Sequence, residues 1–235
     1  MLKLLQREVR KLADPQRAKD LSRFFKTKEG EYGAGDIFCG LTVPQSRTIA
    51  AKFPDLSVAD LTILIKSKIH EERMIALIIL VSQFRKGDEK KQKDIFDFYL
   101  SHTKYSNNWD LVDLSADKIV GGYLKTRERS VLLRLAKSEN LWEKRISMIA
   151  TFEFIKNLKE YKDTFVIADI LLHDKHDLIQ KAVGWMLREV GKRASEKALI
   201  DYLKPRYKTM PRTTLRYAIE RFSPDTRKKY LQGMI

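Results

Sequence analysis

The sequence predicts an all-α protein made of repeated helix pairs. Along most of the chain, apolar residues recur at the three- and four-residue spacing of amphipathic helices. No run of alternating apolar and polar residues is long enough to indicate a strand. Four residues in comparable segments lie 36 positions apart from one to the next: Arg73, Trp109, Arg145 and Lys181. Together these observations favour a helical repeat over any fold that contains a sheet.

The 36-residue period indicates the architecture. A repeat of about 35 to 45 residues with two helices is typical of a HEAT-like solenoid, in which each pair buries its apolar face by stacking on its neighbours. Ile65-Lys66-Ser67 before Arg73 has a counterpart in Ala136-Lys137-Ser138 before Arg145. We therefore predict one domain over residues 1–235, a HEAT-like α-α superhelix with a concave basic groove.

Capping signals indicate where the helices begin and end. The first amphipathic helix is predicted over about 2–12, and Asp14-Pro15 caps a second one that runs to about Lys26. Four glycines between Thr27 and Thr42 predict the longest loop, after which Thr42-Val43-Pro44 begins a helix. Further helices are predicted, in order, over 57–65, 71–84 and 95–99, from 109, around 185, and over 195–203 and 213–222.

The charge balance predicts a polyanionic partner. The chain has 46 Lys and Arg against 31 Asp and Glu, a formal net charge of +15. Such an excess favours nucleic acid first, an anionic membrane second and an acidic protein third. Beyond Gly191, twelve basic residues accompany four acidic ones, and Arg212, Arg216 and Arg221 recur at near-helical spacing. That spacing suits a phosphate backbone.

Cysteine content and hydropathy indicate a cytoplasmic protein. The single cysteine, Cys39, excludes an intramolecular disulfide and a cysteine-rich zinc site, which favours a reducing compartment. The longest apolar run, from Ile75 to Val81, is far shorter than the roughly 20 residues that a membrane span requires. We expect no membrane partner.

The pair Trp109 and Asp113 is the most distinctive feature of the chain. Residues four apart on a helix project side by side, so an indole would lie next to a carboxylate. An indole face attracts a cation and a carboxylate is negatively charged, so the pair suits an electron-poor organic group better than an anion. Trp185 lies 72 residues after Asp113, two repeats on, and we expect it on the same surface near Arg145 and Lys181.

A structural explanation of these residues stays open at this point. A tryptophan in a helical protein usually belongs to the core. Asn107 or Asn108 would cap a helix that begins near Trp109. Asp110 and Asp113 would then only offset the macrodipole of that helix.

The sequence predicts no cofactor and no metal site. The glycine-rich loop matches neither GxGxxG nor GxxxxGK followed by Ser or Thr, the two phosphate-binding patterns. His173 and His176 are three residues apart, but no carboxylate spacing completes a zinc site. Cys39 has no evident histidine partner, so we expect a small buried side chain rather than a nucleophile.

Three motifs and one earlier segment follow each other along nearly the whole chain. The motifs are Trp109-Asp110-Leu111-Val112-Asp113, Leu141-Trp142-Glu143-Lys144-Arg145 and Ala182-Val183-Gly184-Trp185-Met186-Leu187-Arg188-Glu189. The earlier segment, Gly40-Leu41-Thr42-Val43-Pro44-Gln45-Ser46-Arg47, has the form G-x-x-x-P-x-x-R. In these features the chain resembles the AlkD-type DNA alkylation repair enzymes, which are HEAT-like alkylpurine DNA glycosylases. One departure is Asn108, where a member of this family carries a second tryptophan.

The resemblance implies a role for each of these residues. Asp113 would be the catalytic carboxylate, and Trp109 and Trp185 would be the aromatic walls of the site. Arg145 would contact the DNA backbone, Arg188 matches a basic position of the family, and Phe24 matches an aromatic position near the lesion. The nucleic-acid-binding side chains that we predict are Arg145, Arg188, Lys181, Phe24 and Arg47.

The expected function is excision of positively charged N3- or N7-alkylated purines from duplex DNA by a monomeric glycosylase. Two other functions stay open. One is a catalytically silent HEAT-like protein that binds nucleic acid through the same groove. The other is a protein-interaction scaffold in which Trp109 and Trp185 anchor a partner helix. Base release from methylated DNA, and DNA affinity at low salt, distinguish the three.

Overall fold

A computed structural model describes residues 1–235, and regular structure in it is almost entirely helical. The chain divides into two compact units, Met1–Ser115 and Ala116–Ile235, which are described separately. One isolated parallel bridge joins Ile37 to Ile69, and no strand forms. The prediction of an all-α protein is confirmed, whereas one domain over 1–235 stays a prediction.

The first unit contains seven helices and one short 3-10 turn. Each predicted helix of this region is present. The helices are α1 Leu2–Lys11, α2 Pro15–Phe24, α3 Val43–Lys52, α4 Val58–Ile65, α5 His70–Lys86, α6 Glu89–Ser101 and α7 Trp109–Ala116, and the 3-10 turn is Thr103–Tyr105.

The predicted caps explain where three of these helices begin. The Asp14 carboxylate accepts the backbone N–H of Arg17 at the start of α2. Thr42 and Gln45 form a capping box at the start of α3, and Ser57 accepts the backbone N–H of Asp60 in α4. Each cap pairs a backbone N–H that the first turn of a helix would otherwise leave without a partner.

Helix α5 is the centre of the first unit. It packs against α1, α3, α4 and α6. This explains the apolar run from Ile75 to Val81, because a helix surrounded by other helices is apolar on every side. Its first turn is also buried although it is polar throughout: His70, Glu71, Glu72 and Arg73.

The predicted long loop lies between α2 and α3 and is tied to α5. The Glu71 carboxylate accepts hydrogen bonds from the backbone N–H groups of Cys39, Gly40 and Leu41, at 2.8–3.2 Å. Gly40 has φ +87°, and a Cβ there would lie 2.2 Å from the carbonyl oxygen of Asp14. Only glycine therefore fits at this crossing of the loop over the start of α2.

The second unit begins with the last residue of α7. A π-helical turn, Asp117–Gly121, and a short helix, Gly122–Leu124, follow directly, and a second π-helical turn is Phe154–Leu158. The seven further helices are α8 Ser130–Ala136, α9 Leu141–Ala150, α10 Lys162–Leu171, α11 Asp177–Arg193, α12 Glu196–Leu203, α13 Arg212–Ala218 and α14 Pro224–Gln232. The predicted helix over 213–222 thus ends four residues early, and Arg221 lies beyond it.

Helix α11 is the central helix of the second unit, as α5 is of the first. It packs against α9, α10, α12 and α13. A Cβ on Gly184 would lie 2.5 Å from the carbonyl oxygen of Thr214 and 2.5 Å from the Cβ of Tyr217. Close approach of α13 is therefore the reason for a glycine inside this helix.

The repeat spacing corresponds to helix pairs in the structure. Arg73 lies in α5, Trp109 opens α7, Arg145 lies in α9 and Lys181 lies in α11. Each of these is the second helix of a pair, preceded by α4, α6, α8 and α10. The chain thus consists of helix pairs, as predicted, and no helix is both long and apolar enough to cross a bilayer.

Gly184→Ala should lower the free energy of unfolding by about 1–3 kcal/mol, because the added methyl group meets the backbone of α13. Gly191→Ala in the same helix is the matched control. Its Cβ would meet the Cδ2 atom of Leu199, which can move, and alanine favours a helix by about 1 kcal/mol over glycine. Urea unfolding of the two variants measures the difference, and equal losses would contradict this account of Gly184.

Candidate active site

The start of α7 is fixed by the two asparagines that precede it. Asn108 is fully buried, and its Oδ1 atom accepts the backbone N–H of Trp109 at 2.9 Å. Asn107 donates from Nδ2 to Asp36 Oδ1, also at 2.9 Å. An asparagine at the helix start, as the sequence predicted, is confirmed, and its neighbour ties the helix to the α2–α3 loop.

The indole of Trp109 lies on a stack of aromatic rings. It stacks on Phe25 with ring centroids 5.3 Å apart, and the Phe24 ring meets it edge-on at 6.0 Å. Phe25 stacks on Phe38 at 5.1 Å, and Phe38 stacks on the imidazole of His70 at 4.4 Å. Trp109 is half-buried and Phe24 is 63% exposed, so part of this aromatic surface is open to a ligand.

Asp113 lies one helical turn after Trp109 on α7. Both side chains are partly exposed, so neither belongs to the closed interior of the first unit. The predicted pairing of an indole and a carboxylate on one helix is therefore present. Leu111 and Val112, on the other side of the same turn, are fully buried and hold α7 against the core.

Four ionisable side chains form a network beneath this turn, three of them buried and one, Asp110, partly exposed. The His70 imidazole contacts Asp36 Oδ2 through Nδ1 at 3.0 Å and Asp110 Oδ2 through Nε2 at 2.9 Å. Arg73 Nη2 lies 2.7 Å from the same oxygen of Asp36. Asp110 is the second residue of α7, between Trp109 and Asp113, so the network reaches the helix that carries the candidate site.

The network shifts the pKa values of His70 and Asp36 in opposite directions. Burial acts to lower the pKa of His70, but the hydrogen bonds to Asp110 and Asp36 outweigh it, and the pKa is raised above its ordinary 6.5. Burial acts to raise the pKa of Asp36, but the bonds to His70 and Asn107 and the charge of Arg73 lower it. Both shifts favour the charged forms.

Sequence reasoning missed this network. It assigns no role to His70, and it treats Asp110 only as a partner of the helix dipole. One signal was available: His70-Glu71-Glu72-Arg73 directly precedes the most apolar helix of the chain. Charged residues at the start of a buried helix need partners, although the sequence does not say which ones.

The second unit contains the other predicted indole. Trp185 is half-buried on α11, with its ring 6.2 Å from that of Phe152. Arg188 lies one turn further on, pairs with Glu189 at 3.2 Å and also forms an ion pair with Glu220. Its charge is therefore shared with two carboxylates.

The remaining predicted DNA contacts differ in their exposure. Arg47 is exposed on α3. Lys181 forms an ion pair of 2.6 Å with Asp177 at the surface. Arg145 is only 5% exposed and donates from Nη1 to the carbonyl oxygen of Leu178 at 2.6 Å. Its role as a contact to the DNA backbone stays a prediction, as do those of Arg47, Lys181 and Arg188.

The structure therefore brings Phe24, Trp109 and Asp113 together in the first unit, and Trp185 and Arg188 in the second. Convergence of the two sets stays a prediction. No group of three or more His, Cys, Asp and Glu side chains is arranged to hold a metal ion. Burial and the charges of Glu71 and Glu72 raise the pKa of Cys39 to about 11, so its thiol stays protonated at neutral pH.

Comparison with known proteins identifies the family. The sequence profile of the DNA alkylation repair enzymes matches residues 5–222. The chain belongs to this family. A solved structure, a predicted DNA alkylation repair enzyme from Enterococcus faecalis, has the same fold, with a TM-score of 0.69 at 15% sequence identity over 90% of this chain and 97% of that one. A search of the curated proteins gave no match.

Membership of the DNA alkylation repair family agrees with the resemblance seen in the motifs. It confirms the helical-repeat fold and a role in the repair of alkylated DNA, which makes DNA the substrate. The half-buried indole and the carboxylate on α7 therefore lie in a DNA alkylation repair enzyme.

The free energy of unfolding should depend on pH through His70. The pKa of His70 in the folded protein lies above the ordinary value of 6.5, which applies to the unfolded chain. Protonated His70 therefore stabilises the fold fully below pH 6.5, and this stabilisation is lost as the pH rises through the pKa of the folded state. The difference in stability between wild type and His70→Gln should thus be larger at about pH 6 than at about pH 9. Urea unfolding measures it, with the exposed His173→Gln as control. A difference that grows with pH would contradict the charged state of His70.

Proposed function

We propose that the protein is a monofunctional DNA glycosylase that releases N3- and N7-alkylated purines as free bases. The observation that carries the proposal is the pair on α7, a partly exposed carboxylate, Asp113, one turn from a partly exposed indole, Trp109. A carboxylate beside an indole face suits a positively charged base better than an anion.

The reaction needs little acid catalysis. A purine alkylated at N3 or N7 already carries a positive charge, so it leaves with the electron pair of its bond to C1′ and becomes neutral. Positive charge then develops on the deoxyribose, and water adds to C1′ with loss of a proton. The enzyme must stabilise the sugar cation, and a preorganised carboxylate does so, as in many glycosidases.

In this mechanism Asp113 faces the sugar cation and orients the water. Trp109 contributes its π face to the same charge. We also assign Trp185 to the aromatic residues of the active site, on the basis of the motif in which it stands. The stack of Phe25 and Phe38 behind Trp109 keeps its ring in place. Phe24, exposed at the edge of Trp109, is in a position to contact the neighbouring bases.

Binding of duplex DNA follows from the basic surface. The net charge of +15 attracts the phosphate backbone. We assign phosphate contacts to Arg47, Lys181, Arg188 and Arg145, together with the basic helices α13 and α14. The ion pairs of Lys181 and Arg188 would then exchange their carboxylates for phosphates. We further propose that the enzyme works as a monomer in the cytoplasm and needs no cofactor, since the damaged base is already activated.

Asp113→Asn should lower the rate of base release by roughly 10²- to 10³-fold, the usual effect of removing one preorganised electrostatic group. Affinity for duplex DNA should be nearly unchanged, because asparagine has almost the same shape. The measurement is single-turnover release of 7-methylguanine from methylated duplex DNA.

Asp97→Asn is the matched control, because Asp97 pairs with Lys93 at the exposed surface of α6. It should release the base as fast as wild type. Equal rates for Asp113→Asn and wild type would remove Asp113 from the mechanism. A wild-type protein that binds the duplex but releases no base would instead be a catalytically silent member of the family.

A further inference from the structure

The imidazole of His70 is held between two carboxylates from different parts of the first unit. Asp36 comes from the α2–α3 loop and Asp110 from the first turn of α7. An ionised carboxylate can only accept hydrogen bonds, so each ring nitrogen must donate one. A histidine that donates from both nitrogens is an imidazolium, with one positive charge.

The charges of the network balance when His70 is protonated. The groups that face it are Asp36 from the loop, Asp110 from α7 and Arg73 from its own helix. The Phe38 ring stacks on the imidazole, and the Phe25 ring, which stacks on Phe38, lies tilted beside the imidazole. Two carboxylates and two cations leave no net charge in a largely buried region, in which only Asp110 is partly exposed. Loss of the His70 proton would remove one positive charge from between the two carboxylates and one hydrogen bond to Asp36 or Asp110.

The network is connected to the candidate catalytic pair in two ways. Asp110 lies in the same turn of α7 as Trp109 and Asp113, so a fixed Asp110 restrains where both of these side chains point. The stack from His70 through Phe38 and Phe25 supports the indole of Trp109 directly. Both links start from one imidazole.

We propose that His70 is a positioning residue, an imidazolium that clamps the first turn of α7 and so aims Trp109 and Asp113 at the damaged nucleotide. This inference rests on the proposed glycosylase function. The other buried residues of the α5 start have different tasks, since Glu71 holds the loop backbone and Glu72 contacts Gln6 of α1. Neither of these reaches α7.

The protonation state is tested by NMR of the whole protein with ¹⁵N-labelled histidine. The chain has four histidines, and the signal missing from His70→Gln identifies His70. Both ring nitrogens of His70 should carry a proton at pH 7 in the wild type. A ring with a single proton at this pH would overturn the proposal.

The effect on catalysis is tested by single-turnover base release from methylated duplex DNA. His70→Gln should be about 10- to 100-fold slower than wild type, with little change in duplex affinity, because a displaced catalytic group costs rate rather than binding. The wild-type rate should fall at high pH as His70 loses its proton. The His70→Gln rate should lack this fall.

Glu72→Gln is the matched control. Glu72 is equally buried and lies in the same turn of α5, so it reports what the loss of a buried charge does to the fold alone. This variant should keep the wild-type rate and pH profile. If His70→Gln also keeps them, or if both variants slow equally, the proposal is wrong while the glycosylase function stands.

Two further measurements separate the remaining outcomes. If the wild type releases no base, the proposed function fails. Amide hydrogen exchange of residues 109–113 without DNA then tests whether His70 restrains the first turn of α7. Exchange should be faster in His70→Gln than in Glu72→Gln, and equal exchange would overturn the clamp. If His70→Gln does not fold, Asp110→Ala removes the acceptor of the same hydrogen bond from α7 and should show the same loss of rate and of the pH effect.

Discussion

Burial of four consecutive polar side chains at the start of α5 is the constraint on which the first unit depends. A buried charge is costly unless it is paired and hydrogen-bonded. The partners of this turn come from three places: the α2–α3 loop for Glu71, α1 for Glu72, and both the loop and α7 for His70. The need to satisfy these charges therefore ties otherwise separate segments to one helix.

The candidate catalytic pair benefits from this arrangement. Helix α7 has only eight residues, too few to be stable alone in water. Asn108 caps its start, Asp110 binds His70, and Ser115 near its end forms a hydrogen bond of 2.9 Å with Tyr99 of α6. These contacts hold α7 along its whole length. A carboxylate that stabilises a transient cation must be held in this way, because a mobile one would lose the advantage of preorganisation.

Local patterns in the sequence predicted the helices well, because caps and periodicity act over a few residues. Asp14, Thr42 and Ser57 cap the helices that they were expected to cap, and the 36-residue period places its four residues in second helices of pairs. The residues of the α7 motif were predicted for a related reason, since a spacing of four directly determines a shared helix face.

Contacts between residues distant in the chain could not be predicted in the same way. Asp36 and Asp110 are 34 and 40 residues from His70, and the link depends on the path of an irregular loop. Gly184 indicated a close approach, but only the structure shows that α13 makes it. The resemblance implied that Arg145 contacts the DNA backbone, but its burial against the carbonyl group of Leu178 is a result of packing between helix pairs, which the sequence does not show.

The central claim is that α7 offers a fixed negative charge to a cation that forms on the deoxyribose. The most direct test compares the affinity of the protein for two DNA duplexes, each of which lacks the base at a single position. At that position the first duplex has a protonated pyrrolidine ring in place of the sugar, and the second has an uncharged tetrahydrofuran ring. The account predicts that the wild type binds the cationic duplex at least about 100-fold more tightly, as expected for a mimic of the transition state, and that Asp113→Asn loses this preference. Equal affinity of the wild type for both duplexes would contradict it.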